Sequence, residues 1–368
     1  MPLSRVSAFL FFVFVAVSAF GQSKYQCNPS FPLLSPWMGA DDAYSIPLAD
    51  GRDVWIFGDT LYGEKRVVNG HDPEMVHNSI GVSTCKNGEW NLQYSIKRDE
   101  KGQFDSFFKP QKNDGSYFWA MDGVEHKNEL WVTLLCVRNK PNSDAFALGF
   151  EICGTELARI AGIEKDPQEW QISYFPLVSD GVHANPSASA LIYQGSVYIF
   201  TLYEQGSRPA ILTRIPLSGL ESPAKHLQYL GADDQWHDGL DPAKAKPVMQ
   251  HGAAEMSVRY HPELKKWVSI LVDPTIFSDK VLLRTAPKLE GPWTDGDVIY
   301  RIPELQKNSP GYDKDTFCYA GKEHPEFEKP DELVFTYVCN TMNPKKLETE
   351  DGIYFPKVVR MKMPAGAS

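Results

Sequence analysis

The chain has 368 residues, with 37 basic against 47 acidic side chains and a formal net charge of −10. That balance repels phosphate backbones, and no basic stripe interrupts it, so nucleic acid is not an expected partner. The opening MPLSRVSAFLFFVFVAVSAFG sets Arg5 before an unbroken apolar run and ends in small residues at Ala19 and Gly21. That is the pattern of a cleavable signal peptide, so residues 1–21 are expected to be removed and residues 22–368 to form one mature domain.

The run from Ala8 to Phe20 is short for a bilayer, and no later stretch is apolar enough to try, so no membrane span is expected. Cys27 follows Lys-Tyr-Gln, whereas lipid attachment needs small apolar residues before the cysteine. The expected product is secreted, periplasmic or extracellular, and monomeric. All six cysteines (Cys27, Cys85, Cys136, Cys153, Cys318, Cys339) fall in the mature part, an even number that permits three bridges in an oxidising compartment. Without a Cys-x-x-Cys, thiolate metal sites fall behind disulfides or buried thiols, and the sequence offers neither a metal nor a cofactor motif.

In chain order, short alternating runs rich in Val, Ile, Tyr, Trp and Phe are separated by Gly, Pro, Asn and Asp turns. One pattern, a strand, a polar turn and an aromatic-centred strand, recurs as DDAYSIPLADGRDVWIFGDT, WAMDGVEHKNELWVTLLCV, PSASALIYQGSVYIFTLY, AEMSVRYHPELKKWVSILV and CYAGKEHPEFEKPDELVFTYVC. The aromatic anchors Trp55, Trp131, Tyr198, Trp267 and Phe335 fall at a near-constant step of about 70 residues, which suits a four-stranded blade. The fold is therefore expected to be all-β, a five-bladed β-propeller of four-stranded antiparallel blades; an irregular sandwich with accidental spacing is the alternative.

Each of the first four copies is followed by material for two more strands, for example NSIGVST and WNLQYSI, whereas the fifth has only GIYFPKVVRMKM. A ring must hide its last sheet edge, so the segment from Ser23 to Leu34 is expected to supply the missing outer strand. The same hairpins suggest bridges between Cys136 and Cys153, flanking a turn near Asp144, and between Cys318 and Cys339, flanking one near Lys329. Cys27 and Cys85 are left as the third pair.

The first strands of a propeller line its channel and meet at one mouth, the default place for a ligand. Here they bring Asp41 and Asp42, Asp122, Asn185 and Ser187, Glu255, and His324 with Glu326. The first hairpin turns around Asp50, which sets Asp41 opposite Asp59, roughly 5 Å away between backbones. Like charges that close leave one carboxyl protonated and the other ionised, the division of labour that glycoside hydrolysis requires. The bland alternative is that Asp59 in Gly-Asp-Thr caps a turn and Asp41 merely ends a strand.

Asp122 in Met-Asp-Gly reads equally as a turn residue or a site carboxylate, and Glu255 is the choice for a third carboxylate. His324 and Glu326 are candidates for sugar hydroxyls, unless the intervening Pro marks only a strand-end kink. Arg284 reads as a packing residue or a surface ion pair. Trp119 and Trp37 are candidate stacking platforms, though most of the tryptophans are expected in the core. No Gly-x-Ser-x-Gly, His-Glu-x-x-His, P-loop or dinucleotide fingerprint is present, which removes the usual support for serine hydrolase, zincin, kinase and dehydrogenase readings.

The segment GADDAYSIPLADGRDVWIFGDT resembles the opening motif of a bacterial family of five-bladed propellers, some members of which are endo-D-arabinanases. HNSIGV, WAMDG, LLRTAPKLEGPW and EHPEF extend the likeness in order over most of the mature chain; the first motif is the specific one, and Gly-Pro-Trp is shared with other glycosidase propellers. The resemblance implies that Asp41 and Asp59 match the paired aspartates implicated in hydrolysis. Asp42 stands where the family's usual form has glycine, which leaves the register between Asp41 and Asp42 open.

The resulting expectation is a secreted glycoside hydrolase acting on a polysaccharide, an arabinan or other furanoside linkage, with inversion. Asp41 and Asp59 serve as acid and base, Glu255 or Asp122 assists, and Asp42, Asn185, His324, Glu326 and Trp119 contact the substrate. The alternative is a non-catalytic propeller that binds glycan or protein through the same mouth.

Overall fold

A computed structural model of the chain describes residues 25–64, 74–140, 149–350 and 352–365. Residues 1–21, expected to be a signal peptide, and the turn near Asp144 lie outside the described residues.

Five antiparallel sheets follow one another in chain order, each beginning with a long hairpin. The first and second strands of the successive sheets are Trp37–Pro47 with Arg52–Tyr62, Tyr117–His126 with Glu129–Asn139, Ala184–Tyr193 with Ser196–Tyr203, Met256–His261 with Lys266–Val272, and Thr316–Glu323 with Glu332–Thr341. Each first strand packs beside the first strand of the next sheet, and that of the fifth returns to that of the first, closing a five-bladed ring around a central channel. The hairpins form where the sequence supplies turns. Lys127 and Asn128 adopt φ of 55° and 61°, and Gln194 and Gly195 adopt 44° and 78°, the left-handed pairs that match the twist of the flanking strands.

The anchors that set the repeat all lie on second strands and all are buried. Trp55 and Phe335 are wholly inaccessible, each side chain contributing on the order of 2–3 kcal/mol by leaving water. Trp37, a candidate stacking platform, is likewise core: it lies flat against Tyr94 with ring centroids 4.1 Å apart.

Blades one, two and four are completed by outer strands at the expected places, Ser79–Lys86 and Glu89–Ser95, Phe150–Ala161 and Gln171–Ser179, and Lys280–Ala286 and Asp297–Arg301. Blade one carries a further short strand, Glu74–Val76, and blade three continues past four strands, with Trp236–Asp238 and Pro247–Met249 added. All six cysteines are paired as Cys27–Cys85, Cys136–Cys153 and Cys318–Cys339. Cys318 and Cys339 face each other in register, whereas Cys153 lies in a register break beside Gly154, the residue that pairs with Cys136.

The closing strand expected from Ser23 to Leu34 is not present among the described residues, which begin at residue 25. Among the described residues the fifth sheet keeps three strands, ending at Lys357–Lys362, and residues 25–33 have no strand pairing. The segment is held by other means. Its disulfide and Phe31, packed edge-on against Trp55, fix it to blade one, while Arg360 on the last strand donates to Asn28 Oδ1 and to the Cys27 carbonyl. Side-chain contacts thus seal the seam where backbone pairing was expected, and the ring itself closes through the first strands of blades one and five.

Candidate active site

Four of the five first strands are irregular. Register breaks fall between Ala40, Asp42 and Tyr44, between Ala120 and Gly123, between Pro186 and Ser189, and between Tyr319 and Lys322. A bulge turns a side chain off the strict alternation of a strand, and here it turns Asp42, Asp122 and Lys322 into the interior. The strand of blade four is regular, and Glu255 immediately precedes it.

At the mouth, Ala40 pairs with Thr60 and Asp42 with Phe57, which brackets Asp41 against Gly58 and Asp59, close to the register the hairpin spacing implied. Gly58 is the residue that lets the acids meet. A Cβ there would fall 2.4 Å from Asp41 Oδ1 and 2.6 Å from Asp42 Oδ2, so both carboxyls occupy space that any side chain would take. The Tyr319 hydroxyl donates to Asp41 Oδ2 at 2.8 Å and the Tyr44 hydroxyl to Asp42 Oδ1 at 2.7 Å. Asp41 Oδ1 is buried and has no hydrogen-bond partner among the described residues.

Burial, then the charges of Asp42 and Asp59, hold the Asp41 carboxyl well above the ordinary carboxylate range. Burial and Glu255 push Asp42 up to about 8. Burial also raises Glu255. The Asp41 and Asp42 carboxyls, side by side and poorly solvated, therefore retain a proton at neutral pH. Tyr44 and Tyr319 are raised by burial and by the aspartate each faces, which keeps both phenols as O–H donors.

Asp59 is the more open carboxylate, its side chain 22% exposed. Its Oδ1 accepts from Trp119 Nε1 and faces His77 Nδ1, both at 3.1 Å. His77 lies flat on Tyr117, and Trp119 sits edge-on to Phe150, which makes one aromatic wall beside the acids. Trp119 is thus brought to Asp59, half-buried. Asn185 is buried at the start of the blade-three first strand, its amide 3.5 Å from Glu204 Oε1.

Asp122 lies deeper, wholly buried, in a different setting. Lys322 Nζ stands 3.1 Å and Arg259 Nη2 3.6 Å from its Oδ2, and the N–H groups of Ala190 and Gly123 donate to it. Burial raises its pKa, but Lys322 and Arg259 with those N–H groups outweigh it and hold Asp122 below the usual carboxylate value. Lys322, from blade five, also lies 3.9 Å from the Tyr44 ring centre and 3.4 Å from the Ala188 carbonyl. Burial lowers its own pKa to about 8 against the pull of Asp122.

His324 and Glu326 do not reach the mouth, because they follow the end of their first strand and so sit at the turn end of the hairpin. His324 is buried with its Nδ1 2.7 Å from Ser45 Oγ and its Nε2 2.9 Å from Thr336 Oγ1, and burial lowers it to about 3, so it stays neutral. Arg284 is buried, donating to the carbonyls of His251 and Asp295.

Gly58, Tyr319 and Lys322 are absent from the sequence-derived candidates. Gly58 and Lys322 stand inside motifs singled out for other residues, GDT and GKEHPEF, but only the bulges tell which way these positions face.

The fold and the mouth together define a five-bladed propeller with a carboxylate cluster at one end of its channel. The chain belongs to the family described as a domain of unknown function, DUF5005, whose model matches residues 27–362. No curated protein matches it. Among solved structures it is similar to a candidate hydrolase from Bacteroides ovatus, with TM-score 0.68, 19% identity, and coverage of 89% of this chain and 86% of that one. It is also similar to an exo-1,5-α-L-arabinanase from a bovine ruminal metagenomic library (TM-score 0.46, 12% identity, 90% and 95% covered) and to an endo-arabinase from Bacteroides thetaiotaomicron (TM-score 0.43, 13% identity, 92% and 99% covered).

Proposed function

We infer that the protein is a secreted glycoside hydrolase acting at the channel mouth on a polysaccharide, an arabinan or other furanoside in particular. The observation that carries this reading is the convergence of Asp41, Asp42 and Glu255 in poorly solvated positions beside the open Asp59. Glycoside cleavage needs a protonated carboxyl and an ionised one flanking the same bond. The Asp41–Asp42 pair supplies the proton, with Asp41, the less buried of the two, handing it to the departing glycosidic oxygen. Asp59 takes a proton from the attacking water, and the C–O bond breaks as the water oxygen bonds the anomeric carbon. In this reading the products carry the inverted anomer. Glu255 strengthens the acidity gap by its charge, the wall formed by Trp119 and Phe150 offers a face to the sugar, and Asp122 positions Lys322 without touching the substrate.

Three disulfides suit an oxidising compartment, and among the described residues no helix is long and apolar enough to cross a membrane. The test is Asp59→Asn assayed on a panel of arabinans including D-arabinan, with the anomer released by the unmodified protein followed by proton NMR. Loss of cleavage by roughly 10²–10⁴-fold with an unchanged melting curve supports the reading. Failure of the unmodified protein to cleave any member, together with measurable binding, favours the glycan-binding alternative.

A further inference from the structure

At the other end of the channel the geometry points to a metal site: His261, Glu323 and Glu328 bind a Zn²⁺ ion that clips blade four to blade five. One ligand atom from each lies within 4.8 Å of the others. His261 ends the first strand of blade four and Glu323 ends that of blade five, while Glu328 follows the short turn of helix Pro325–Phe327. Glu255 and His261 bound the same strand at opposite ends, roughly 20 Å apart along an extended chain, so this cluster is distinct from the mouth.

Three observations favour an ion. His261 Nδ1 is 2.8 Å from Glu263 Oε1, a carboxylate–histidine contact of the kind that orients a ligating imidazole, and an ion arriving at Nε2 displaces the proton that Nε2 shares with Glu323. That Nε2 is 2.7 Å from Glu323 Oε1. The other oxygen, Glu323 Oε2, is buried without a partner among the described residues, on a side chain that is 0% exposed. Glu328 Oε1 accepts from the Val334 N–H at 2.8 Å, which fixes that carboxylate and leaves its second oxygen for the ion. An imidazole with two carboxylates is a borderline-soft donor set, the kind that takes Zn²⁺, whereas Ca²⁺ prefers six or more oxygens. The sequence hides the site because its ligands come from two blades, 62 residues apart between His261 and Glu323.

The sheet of blade five has three strands among the described residues, and an ion here would add a cross-blade bond beside that shortened sheet. The experiment strips the mature protein with a chelator, returns ZnCl₂, and measures bound metal by mass spectrometry alongside a melting curve. One Zn²⁺ per chain and a raised melting temperature are expected, with binding lost in His261→Ala and Glu323→Gln. Glu263→Gln, at a side chain 44% exposed and therefore tolerant of change, weakens Zn²⁺ binding by about 10–100-fold. This last variant keeps the proposal open to refutation if the two buried substitutions fail to fold. Absence of stoichiometric Zn²⁺ in the unmodified protein, preference for Ca²⁺, or binding unchanged in Glu263→Gln overturns the assignment. None of these readouts depends on whether the mouth cleaves glycans.

Discussion

Asp42 and Asp122 occupy bulges in neighbouring first strands, both are buried, and their pKa values move in opposite directions. Burial penalises the charged form in each. The difference is in the company: Asp122 faces Lys322, Arg259 and two backbone N–H groups, whereas Asp42 has one phenol and, close by, more carboxyls. The deep end of the cluster is charge-balanced and acts as a strut between blades, and the mouth is left unbalanced and holds a proton. The charge balance thus divides along one channel by where Lys322, the one buried lysine among the described residues, is placed.

The comparison is broken most severely at Lys322. In Lys322→Met the Asp122 carboxylate keeps its N–H donors and the more distant Arg259 but loses its nearest cation, and a buried charge stripped of its main partner costs about 3–5 kcal/mol. Urea denaturation should show that loss, and the double variant Lys322→Met with Asp122→Asn should recover a substantial part of it. A single variant within 1 kcal/mol of the unmodified protein would remove the strut from the account.

Next in size is Gly58→Ala. The added methyl meets two carboxyl oxygens at impossible distances, so Asp41 and Asp42 must separate. Overpacking of this kind costs roughly 1–3 kcal/mol. Activity should fall further, by about 10²-fold, since displacement of a positioned group by an ångström is enough for that. Comparable losses for Ala at Gly311, where a Cβ meets nothing within 4 Å and the backbone is not left-handed, would show that the mouth is not the sensitive place.

Lys322 and Gly58 mark the limit of what is legible in the sequence. Five aromatic anchors at a constant step identify the blades, because each must bury a large side chain on a second strand whatever the ligand. The pairing of Asp41 against Gly58 and Asp59 follows from counting back from the Asp50 turn. The faces of the first strands do not follow, because a bulge adds one residue and reverses the alternation beyond it, which is how Lys322 and Asp122 come to meet across the channel. His324 is expected at the mouth because the first-strand pattern of blade five runs through it, but the strand ends at Glu323 and His324 falls at the turn. The outer seam was misread for a related reason: an exposed strand edge predicts only that something covers it, and a disulfide with side-chain contacts serves as well as a strand.

A smaller effect concerns pH and stability. Asp42, raised to about 8, binds a proton in the fold that the unfolded chain releases near pH 4, so the folded state holds more protons between those values. Stability therefore falls as pH rises from about 4 to about 8. Asp42→Asn removes the group that titrates, so its melting temperature should depend less on pH over that window, and at pH 8 it should match or exceed that of the unmodified protein. Thermal denaturation at pH 5 and pH 8 measures this; a variant less stable at both values would place Asp42 with Asp122 among the struts.

The smallest effect separates the two aspartates of the mouth by sign. Asp41 is held up by burial and then by the charge of Asp42, and is drawn down by the Tyr319 hydrogen bond. If Asp41 is the acid, activity declines on the alkaline side as its proton is lost. Asp42→Asn removes a repelling charge, eases release of that proton, and should move the alkaline limb of kcat/KM to lower pH. Tyr319→Phe removes a bond that favours the ionised form and should move the same limb up, by roughly half a pH unit, with activity reduced no more than about tenfold. Opposite displacements from two substitutions flanking one carboxyl are not expected of a general loss of structure. Movement in the same direction would mean that the limb reports a different group, and Asp59 or Glu255 would then take the role of acid.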